Sequence, residues 1–393
     1  LLNPEGTTMA SIDAFRQEVR SFLDENLPAQ LRVGTRRDLP GKLMKKWIIA
    51  LGGRGWITPQ WPKEYGGGGL DREHAGALRA ELKAVRAPMV SSFGTSMLGP
   101  TLLEFGTDEQ KKEFLPAISR NEVQWCQGYS EPGAGSDLAS LQTRAARDGD
   151  EYVITGQKIW TTGAQNADWI FCLVRTDPDA PKHEGISFIL FPMHQPGVEV
   201  APLRLIDCSK HFSQVFFDGA RAQAKHVVGP VNGGWTVAKR LLQHERSMDG
   251  GSEGGLLGAQ KETLVDLVKR EVGMEDGKLA DPAIRQRLAQ QEMEAQALGL
   301  TMRRAGEEAR AGQTTRDVGS IGKYRWANMV KGEQDVALTA LGTQGLGWEG
   351  PGFDDKQLER TRSWLITRAD SIWGGTNEIQ LNVIAKRTLQ IPE

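Results

Sequence analysis

The stretch "SIWGGTNEIQ" (371–380) places two glycines and a threonine directly ahead of a segment with helical character. Gly374 and Gly375 permit a tight turn that exposes main-chain groups, and a helix starting behind it would favour negative charge at its N-terminus. The pattern is typical of a turn that contacts a ligand. Neither glycine carries a reactive group, so a reacting side chain must be sought elsewhere.

A second glycine-rich stretch, "YSEPGAGSDLASLQT" (129–143), combines accessible main chain with short hydroxyls. Gly133 and Gly135 let a ligand approach N–H groups directly, and Ser130 and Ser136 add hydroxyl groups. An isolated G-x-G pattern is more often an ordinary surface turn. Further along, "GQKIWTTGAQNADW" adds a tryptophan and two threonines after a strand-like run. An aromatic plane beside hydroxyl donors suits a flat heterocycle such as a flavin.

One carboxylate is placed for acid–base chemistry. In "AKRLLQHERSMDGGSEGGLLG", Glu245 would share a helix face with Leu241, Leu242 and Met248. A carboxylate on an apolar stripe is costly, and burial raises its pKa towards a useful range. The alternative is that Glu245 forms half of a solvated pair with Arg246 on a surface helix.

Three kinds of segment would position these residues. The first third is helical, with a capping-box spacing at 107–110 and Pro116 expected to end that helix. From 122 to about 232 the chain reads as short antiparallel strands, which predict a small barrel or sandwich. The strand-like segments are "EYVITG", "DWIFCLV", "GISFILF", "GVEVAP" and "QVFFDG". Helical periodicity then returns over 235–271, 281–311, 318–341 and 375–390.

Composition excludes several classes of protein. The 393 residues carry a formal net charge of −2, which argues against a nucleic-acid-binding or polybasic membrane protein. No apolar run approaches the roughly 18–20 residues that a membrane span requires. Three scattered cysteines show no metal-ligand spacing, and the first residues carry no signal-peptide pattern. A cytoplasmic protein without a metal site is therefore expected.

The chain resembles the acyl-CoA dehydrogenase family over essentially its whole length. Five stretches match the family pattern in order: "WPKEYGG", "GTDEQKKEFLP", "SEPGAGSD", "GQKIWTTG" and "GGTNEIQ". The resemblance implies an α+β fold with an N-terminal helical domain (1–122), a central β-barrel or sandwich domain (123–232) and a C-terminal four-helix bundle (233–393). FAD would lie between the β domain and the C-terminal helices.

The resemblance also implies roles for residues around FAD. Gln127, Tyr129 and Ser130 would line the flavin ring through main-chain groups and the Ser130 hydroxyl. Gly135 and Ser136 would meet the FAD phosphates or the bound thioester arm. Trp160 would pack near the ring, the alternative being a core tryptophan, and Thr162 would hydrogen-bond the reactive nitrogen. At the last helix, Thr376 would meet a phosphate or ribose of FAD and Glu378 the edge of FAD.

The catalytic base is the point on which subgroups of the family differ. Many members carry a glutamate at the turn before the last helix, where this chain has Gly374. In isovaleryl-type and long-chain members the base occupies the position that Glu245 matches. The resemblance therefore implies Glu245 as the base and Arg246 as the residue that orients the base or the thioester arm. Gly374 and Gly375 would open space beside the substrate, and Glu378 is the rival base.

Assembly and electron transfer follow from the same resemblance. The expected reaction is α,β-dehydrogenation of an acyl-CoA, with electrons passed to an electron-transfer flavoprotein. The segment that usually reaches the neighbouring subunit's FAD reads "KREVGMEDGKLADPAIRQR", without the usual aromatic–glycine pair. Either Arg285 or Arg287 remakes that contact in a homotetramer, or the chain belongs to a mixed tetramer. A mainly structural subunit and an oxygen-using oxidase are the remaining alternatives.

Overall fold

The fold is that of a computed structural model, which describes residues 11–32, 41–247, 262–313 and 318–392; the side chains of 245–247 lie outside the description. These residues form two compact units. The first unit comprises the described residues up to Leu203 together with 211–247. The second comprises Arg204–Lys210 and the described residues from 262 onward.

The first unit begins with five helices. They are α1 (Ile12–Asn26), α2 (Gly41–Gly53), α3 (Arg72–Ala84), α4 (Gly99–Phe105) and α5 (Asp108–Ser119). The predicted capping box is present at α5, where Thr107 and Gln110 exchange side-chain to backbone hydrogen bonds. The prediction that Pro116 ends this helix is wrong, because α5 continues to Ser119. Proline removes one helical hydrogen bond, and the buried side chains of Leu115 and Ile118 keep that turn packed.

An eight-stranded sheet follows in the same unit. Its strands are β1 (Trp125–Gly128), β2 (Arg144–Asp148), β3 (Glu151–Thr162), β4 (Trp169–Arg175), β5 (Ile186–Pro192), β6 (Val198–Leu203), β7 (Phe212–Gln223) and β8 (Val227–Val228). The strand order is β6-β7-β3-β2-β4-β5-β8, with β1 beside β4. All five predicted strand segments are confirmed, but the antiparallel expectation fails at β4, which β1 and β2 meet in parallel.

The sheet curls around its own apolar side chains. Phe191 of β5 and Phe217 of β7 pack edge to face with ring centroids 5.4 Å apart, although these strands are distant in the strand order. Strands β4 and β5 are buried along nearly their whole length, as their continuous apolar sequences predict. This curvature gives the central domain its barrel-like form.

Helix α6 (Gly234–Ser247) packs against the sheet within the first unit. Its buried residues Val237, Ala238 and Leu241 join the core that contains Phe171 and Phe188. Since α6 carries the predicted base, its packing on the sheet fixes the backbone on which that residue lies.

The second unit is helical apart from one small hairpin. Its elements are α7 (Leu264–Val272), β9 (Met274–Glu275), β10 (Lys278–Leu279), α8 (Pro282–Arg310), α9 (Val318–Leu341), α10 (Asp355–Ile366) and α11 (Asn377–Val383), which continues as a π-helical turn, Ile384–Thr388. Among the helices described, none is long and apolar enough to cross a bilayer.

Two helix predictions in this half of the chain need correction. The expected continuous helix over 235–271 is wrong, because α7 begins afresh behind Thr263, whose hydroxyl accepts the Asp266 N–H. Helix α10 was not predicted at all. It carries a capping box between Asp354 and Gln357, which is a signal that the sequence does contain.

Candidate active site

A buried ion pair lies beneath the glycine-rich loop. Lys158 of β3 is fully buried and its Nζ lies 2.8 Å from Glu131 Oε1. The same carboxylate accepts the backbone N–H groups of Gln142 (2.6 Å) and Thr143 (2.8 Å). Burial acts to raise the pKa of Glu131, but the Lys158 cation and these donors outweigh it and hold the pKa below its usual value. The ion pair links the glycine-rich loop to β3, and the two N–H donors link the loop to the residues just ahead of β2.

The ion pair fixes the loop but leaves its tip accessible. Lys158 Nζ also donates to the Tyr129 carbonyl (3.0 Å), and the Ile159 N–H donates to the Ser130 carbonyl (2.9 Å). Gly135 and Ser136, both predicted ligand contacts, are exposed. A Cβ placed on Gly135 would meet no atom within 4 Å. The loop thus offers free space around a main chain that is held from below.

Tyr129 and Gln127 lead into this loop from β1. The Tyr129 ring is buried and meets Phe171 and Phe188 edge on, with centroids 6.2 and 6.4 Å away. Gln127 is half-buried and lies opposite Phe171 in the parallel pairing of β1 with β4. The Tyr129 side chain is therefore part of the core, and what it can offer a ligand is its main chain.

Trp160 and Thr162 lie at the end of β3, where its pairing with β7 is irregular. The register shifts between Lys158 and Thr161, and Trp160 adopts a φ of +61°, which a non-glycine residue rarely takes. Its indole is 56% exposed and meets Phe212 edge on at 6.1 Å. Trp160 is therefore not a core tryptophan of this chain. The half-buried Thr162 follows two residues later.

A groove of about 440 Å³ runs beside the loop. It is lined by residues of the loop, the stretch ahead of β2 and the middle of β3: Glu131, Pro132, Gly133, Ser140, Gln142, Thr143, Gly156 and Gln157. None of the predicted FAD contacts lines this groove: Gln127, Tyr129, Ser130, Gly135, Ser136, Trp160 and Thr162 all lie outside its lining. The loop and β3 are joined instead by the hydrogen bonds that Lys158 and Ile159 donate to the carbonyls of Tyr129 and Ser130.

The predicted base Glu245 and its neighbour Arg246 lie in the last turn of α6, and their side chains lie outside the description. Position 245 continues the helical spacing of the buried residues Ala238 and Leu241. On the outer side of the helix, Arg240 Nε donates to Glu104 of α4 at 2.7 Å. This contact helps to fix the rotation of the helix that carries the predicted base.

The terminal turn belongs to the second unit. Gly374 and Gly375 have φ values of +61° and +88°, so both use the left-handed region that glycine favours. A Cβ on Gly374 would meet nothing within 4 Å, whereas one on Gly375 would lie 2.6 Å from Gln380 Nε2. Lys323 of α9 donates to the Gly375 carbonyl at 2.8 Å. The Gly375 backbone is therefore fixed by a hydrogen bond and close packing, whereas the space around the Gly374 Cα is free.

Thr376 and Glu378 start the last helix. The Thr376 hydroxyl caps α11 by accepting the Ile379 N–H at 3.3 Å. Glu378 is exposed, and hydrogen bonds from its own backbone N–H and from Thr376 lower its pKa. A carboxylate of this kind is a weak proton acceptor at neutral pH.

A buried carboxyl group four residues before the turn was missed by sequence reasoning. Burial raises the pKa of Asp370 to about 6, although a hydrogen bond from Trp373 and the Lys323 cation act against this. Its backbone carbonyl accepts the Lys323 ammonium at 2.7 Å. No spacing rule points to Asp370, since its burial follows from tertiary packing.

Family models match nearly the whole chain. They describe the N-terminal domain of acyl-CoA dehydrogenases (residues 10–122), the middle domain (126–218) and the C-terminal domain (232–389). Acyl-CoA dehydrogenase IpdE1 of Mycobacterium tuberculosis is 38% identical over 98% of this chain and 99% of its own length. The Mycolicibacterium smegmatis protein of the same name is also 38% identical, over the same shares of the two chains.

Solved structures agree with this match. The Tcur3481-Tcur3483 steroid ACAD is 33% identical with a TM-score of 0.75, covering 98% of this chain and 99% of that one. The ChsE4-ChsE5 complex from Mycobacterium tuberculosis gives 28% and 0.73 with the same coverage. The anchored glycine loop, the exposed tryptophan and the glycine turn thus stand in a chain that belongs to the acyl-CoA dehydrogenase family.

Proposed function

We propose that the first unit holds the isoalloxazine of FAD between the loop that follows β1 and the end of β3. Members of this family are FAD-dependent. The observation that carries the proposal is the exposure of Trp160. This residue has a positive φ and lies near the end of β3, the strand that also carries the buried Lys158. Thr162, the main chain of Gln127 and Tyr129, and Ser130 would supply polar contacts to the ring.

Other FAD contacts are proposed at both ends of the cofactor. Gly135 and Ser136 would meet a phosphate or the thioester arm, because their main chain is exposed with free space around it. Thr376 and Glu378 would contact the remaining part of FAD. The three domains, 1–122, 123–232 and 233–393, are proposed to frame these contacts.

The proposed reaction is α,β-dehydrogenation of an acyl-CoA thioester. Bound FAD supplies an acceptor for the β-hydride, and the protein must supply a base for the α-proton. We assign that base to Glu245, because its position continues the buried stripe of α6 and a desolvated carboxylate gains proton affinity. Arg246 would orient the base or the thioester arm.

Exchange of the base for its amide tests this assignment. Glu245→Gln should keep the yellow FAD absorbance and lose at least about a hundredfold in kcat, which is within the usual contribution of a general base. Glu378→Gln tests the rival base in parallel, because Glu378 is exposed and has a lowered pKa. Since Glu378 is also a proposed FAD contact, kcat is compared per bound FAD. Retained turnover in Glu245→Gln, or loss confined to Glu378→Gln, would refute the assignment.

The substrate is proposed to be a bulky, steroid-derived acyl-CoA. Two observations support this class: likeness to a solved steroid ACAD at 33% identity, and the open space at Gly374. Initial rates with steroid-side-chain, branched and straight-chain thioesters would rank the classes. A straight-chain thioester with the highest kcat/KM would contradict the steroid proposal.

A mixed assembly is the second candidate. Both solved structures compared above are named as pairs or complexes of two proteins. The guanidinium of Arg287, one of the residues expected to reach a neighbouring FAD, already donates to the Thr339 hydroxyl at 2.9 Å within the same unit. Mass measurement with FAD counted per chain separates a homotetramer, with one FAD per chain, from a subunit that lacks its own.

Electron-transfer flavoprotein is the proposed electron acceptor. Reduction of that protein by substrate-reduced enzyme should exceed oxygen uptake under the same conditions. Peroxide release as the dominant product would favour the oxidase alternative instead.

A further inference from the structure

One ammonium group ties together the two ends of the terminal turn. Lys323 lies in the second turn of α9, and its Nζ donates to the carbonyls of Asp370 (2.7 Å) and Gly375 (2.8 Å). These carbonyls lie on either side of the exposed Gly374. The approach and the exit of the turn are therefore held by a single side chain from another helix.

A second donor holds the same turn from the side of the last helix. Gln380 is buried, and its Nε2 donates to the carbonyls of Gly374 (3.2 Å) and Gly375 (3.4 Å). In a planar trans peptide the N–H points opposite to the C=O. The N–H groups of Gly375 and Thr376 therefore point away from Gln380 and Lys323. Within the described part of the chain, the structure gives neither N–H an acceptor.

The use of a cation here has an electrostatic consequence. Burial lowers the pKa of Lys323, with the Asp370 carboxylate acting against this, so the ammonium is held where charge is costly. Gln380 shows that a neutral side chain can also donate to one of these carbonyls, that of Gly375. A cation on a peptide carbonyl also polarises that peptide and strengthens its N–H as a donor, by roughly 10–30% per bond in cooperative networks. Lys323 polarises the Gly375–Thr376 peptide in this way, because its ammonium donates to the Gly375 carbonyl.

We propose that Lys323 is a positioning residue that holds and polarises residues 374–376, so that main-chain N–H groups of this turn bind the thioester carbonyl as it gains negative charge. The inference rests on the proposed function, in which this turn receives the acyl-CoA. Lys323 acts only through the main chain, and the ligand it serves is a carbonyl oxygen that becomes anionic.

Three variants of the full-length, FAD-loaded protein test this role. Lys323→Met removes both hydrogen bonds, and Lys323→Arg keeps a cation with several donors. Lys331→Met is the matched control, because it removes a cation from the same helix that also acts on the Asp370 carboxyl. The structure gives the Lys331 ammonium no hydrogen bond among the described residues. Readouts are amide hydrogen exchange at Ile372 and Trp373, whose N–H groups donate to the Ala369 carbonyl just ahead of the turn, FAD absorbance, and kcat and KM with the best acyl-CoA.

The expected pattern separates positioning from general stabilisation. The amides of Ile372 and Trp373 should exchange at least about tenfold faster in Lys323→Met. Its kcat should fall about tenfold or more with KM within about threefold, a smaller loss than the 10²–10³ seen on removing a direct oxyanion donor. Lys323→Arg should recover much of both, and Lys331→Met should match wild type. Because Thr376 is also a proposed FAD contact, FAD absorbance is used to express kcat per bound FAD in all four proteins.

Other outcomes overturn the proposal. Faster exchange with an unchanged kcat would show that order in this turn does not serve the reaction. A lower kcat with unchanged exchange would show that Lys323 does not hold the turn. If Lys323→Met fails to fold, a folded Lys323→Arg with no more activity than background overturns it as well. A wild-type protein that turns over no acyl-CoA would refute the proposed function instead, and the exchange contrast between Lys323→Met and Lys331→Met would still report whether the contact orders the turn.

Discussion

Replacing Lys158 by methionine should be among the most destabilising single changes in the first unit. Methionine fills similar space but leaves the Glu131 carboxylate buried without its hydrogen-bonded cation. Among the described residues it keeps the N–H groups of Gln142 and Thr143 as donors, and the charge of Arg175 acts on it without a hydrogen bond. Lys158 is fully buried and the Glu131 side chain is 8% exposed, so water cannot replace the lost cation. Removing one partner of a buried ion pair costs about 3–5 kcal/mol.

An exposed pair in the same unit provides the control. Lys182 and Asp137 lie 2.9 Å apart with side chains 53% and 59% exposed, so Lys182→Met breaks an ion pair of nearly equal length in water. Exposed pairs contribute about 0.2–1 kcal/mol. The comparison therefore isolates the effect of burial from the effect of losing a lysine.

The assay is thermal unfolding of the FAD-loaded protein, with FAD content measured in parallel. At about 2–4 °C per kcal/mol for a unit of this size, Lys158→Met should lower the midpoint by about 6–20 °C and Lys182→Met by no more than about 4 °C. FAD should also be lost more readily from Lys158→Met, because the loop at Tyr129 and Ser130 is held by this lysine.

A double variant tests whether the unpaired Glu131 charge causes the loss of stability. Lys158→Met combined with Glu131→Gln removes the unpaired charge, so its loss should be smaller than the sum of the two single losses. The reasoning fails if Lys158→Met is no worse than Lys182→Met, or if the losses from Lys158→Met and Glu131→Gln simply add.

Two further predictions concern the terminal turn. Because burial raises the pKa of Asp370 to about 6, the stability present below its unfolded pKa near 3.8 is lost as pH rises through 6. Asp370→Asn should therefore raise the free energy of unfolding at pH 7.5 by about 1–2 kcal/mol, after allowing for solvent screening, and change it little at pH 4. Gly374→Ala should cost only the left-handed backbone penalty of about 1–2 kcal/mol, because its surroundings are open. Gly375→Ala should cost more, since its Cβ would displace Gln380; equal unfolding midpoints for the two alanine variants would contradict this.

Much of the fold follows from local sequence. Continuous apolar runs identified β4 and β5 correctly, because both faces of these strands are buried. The capping box at Thr107 was also identified correctly, since its two hydrogen bonds involve residues three apart. Pro116 was misjudged for the opposite reason: packing of Leu115 and Ile118, which depends on distant residues, outweighs the local cost of proline.

The candidate site also combines features that local sequence predicts with features that depend on distant residues. Motif matches drew attention to the loop at 129–143 and to Trp160, but the pairing of Lys158 with Glu131 joins residues 27 apart and has no local signature. Both residues lay inside the quoted motifs without an assigned role. The positive φ of Trp160 is equally invisible in the sequence, because it arises from a register shift between β3 and β7.

Carboxyl groups near the terminal turn show why identity and spacing do not rank catalytic bases. Sequence reasoning named Glu378 as the rival to Glu245, yet its pKa is lowered by hydrogen bonds at an exposed helix start, whereas burial raises the pKa of Asp370 to about 6. Asp370 is thus the stronger rival by proton affinity, and the pH dependence of kcat/KM can separate the two. If Glu245 is the base, Asp370→Asn should keep the acidic limb of that profile, and Glu245→Gln should abolish it together with turnover. Loss of the acidic limb in Asp370→Asn would indicate that the base for the substrate's α-proton lies in the second unit. Only a group that titrates in the free enzyme can shape that limb.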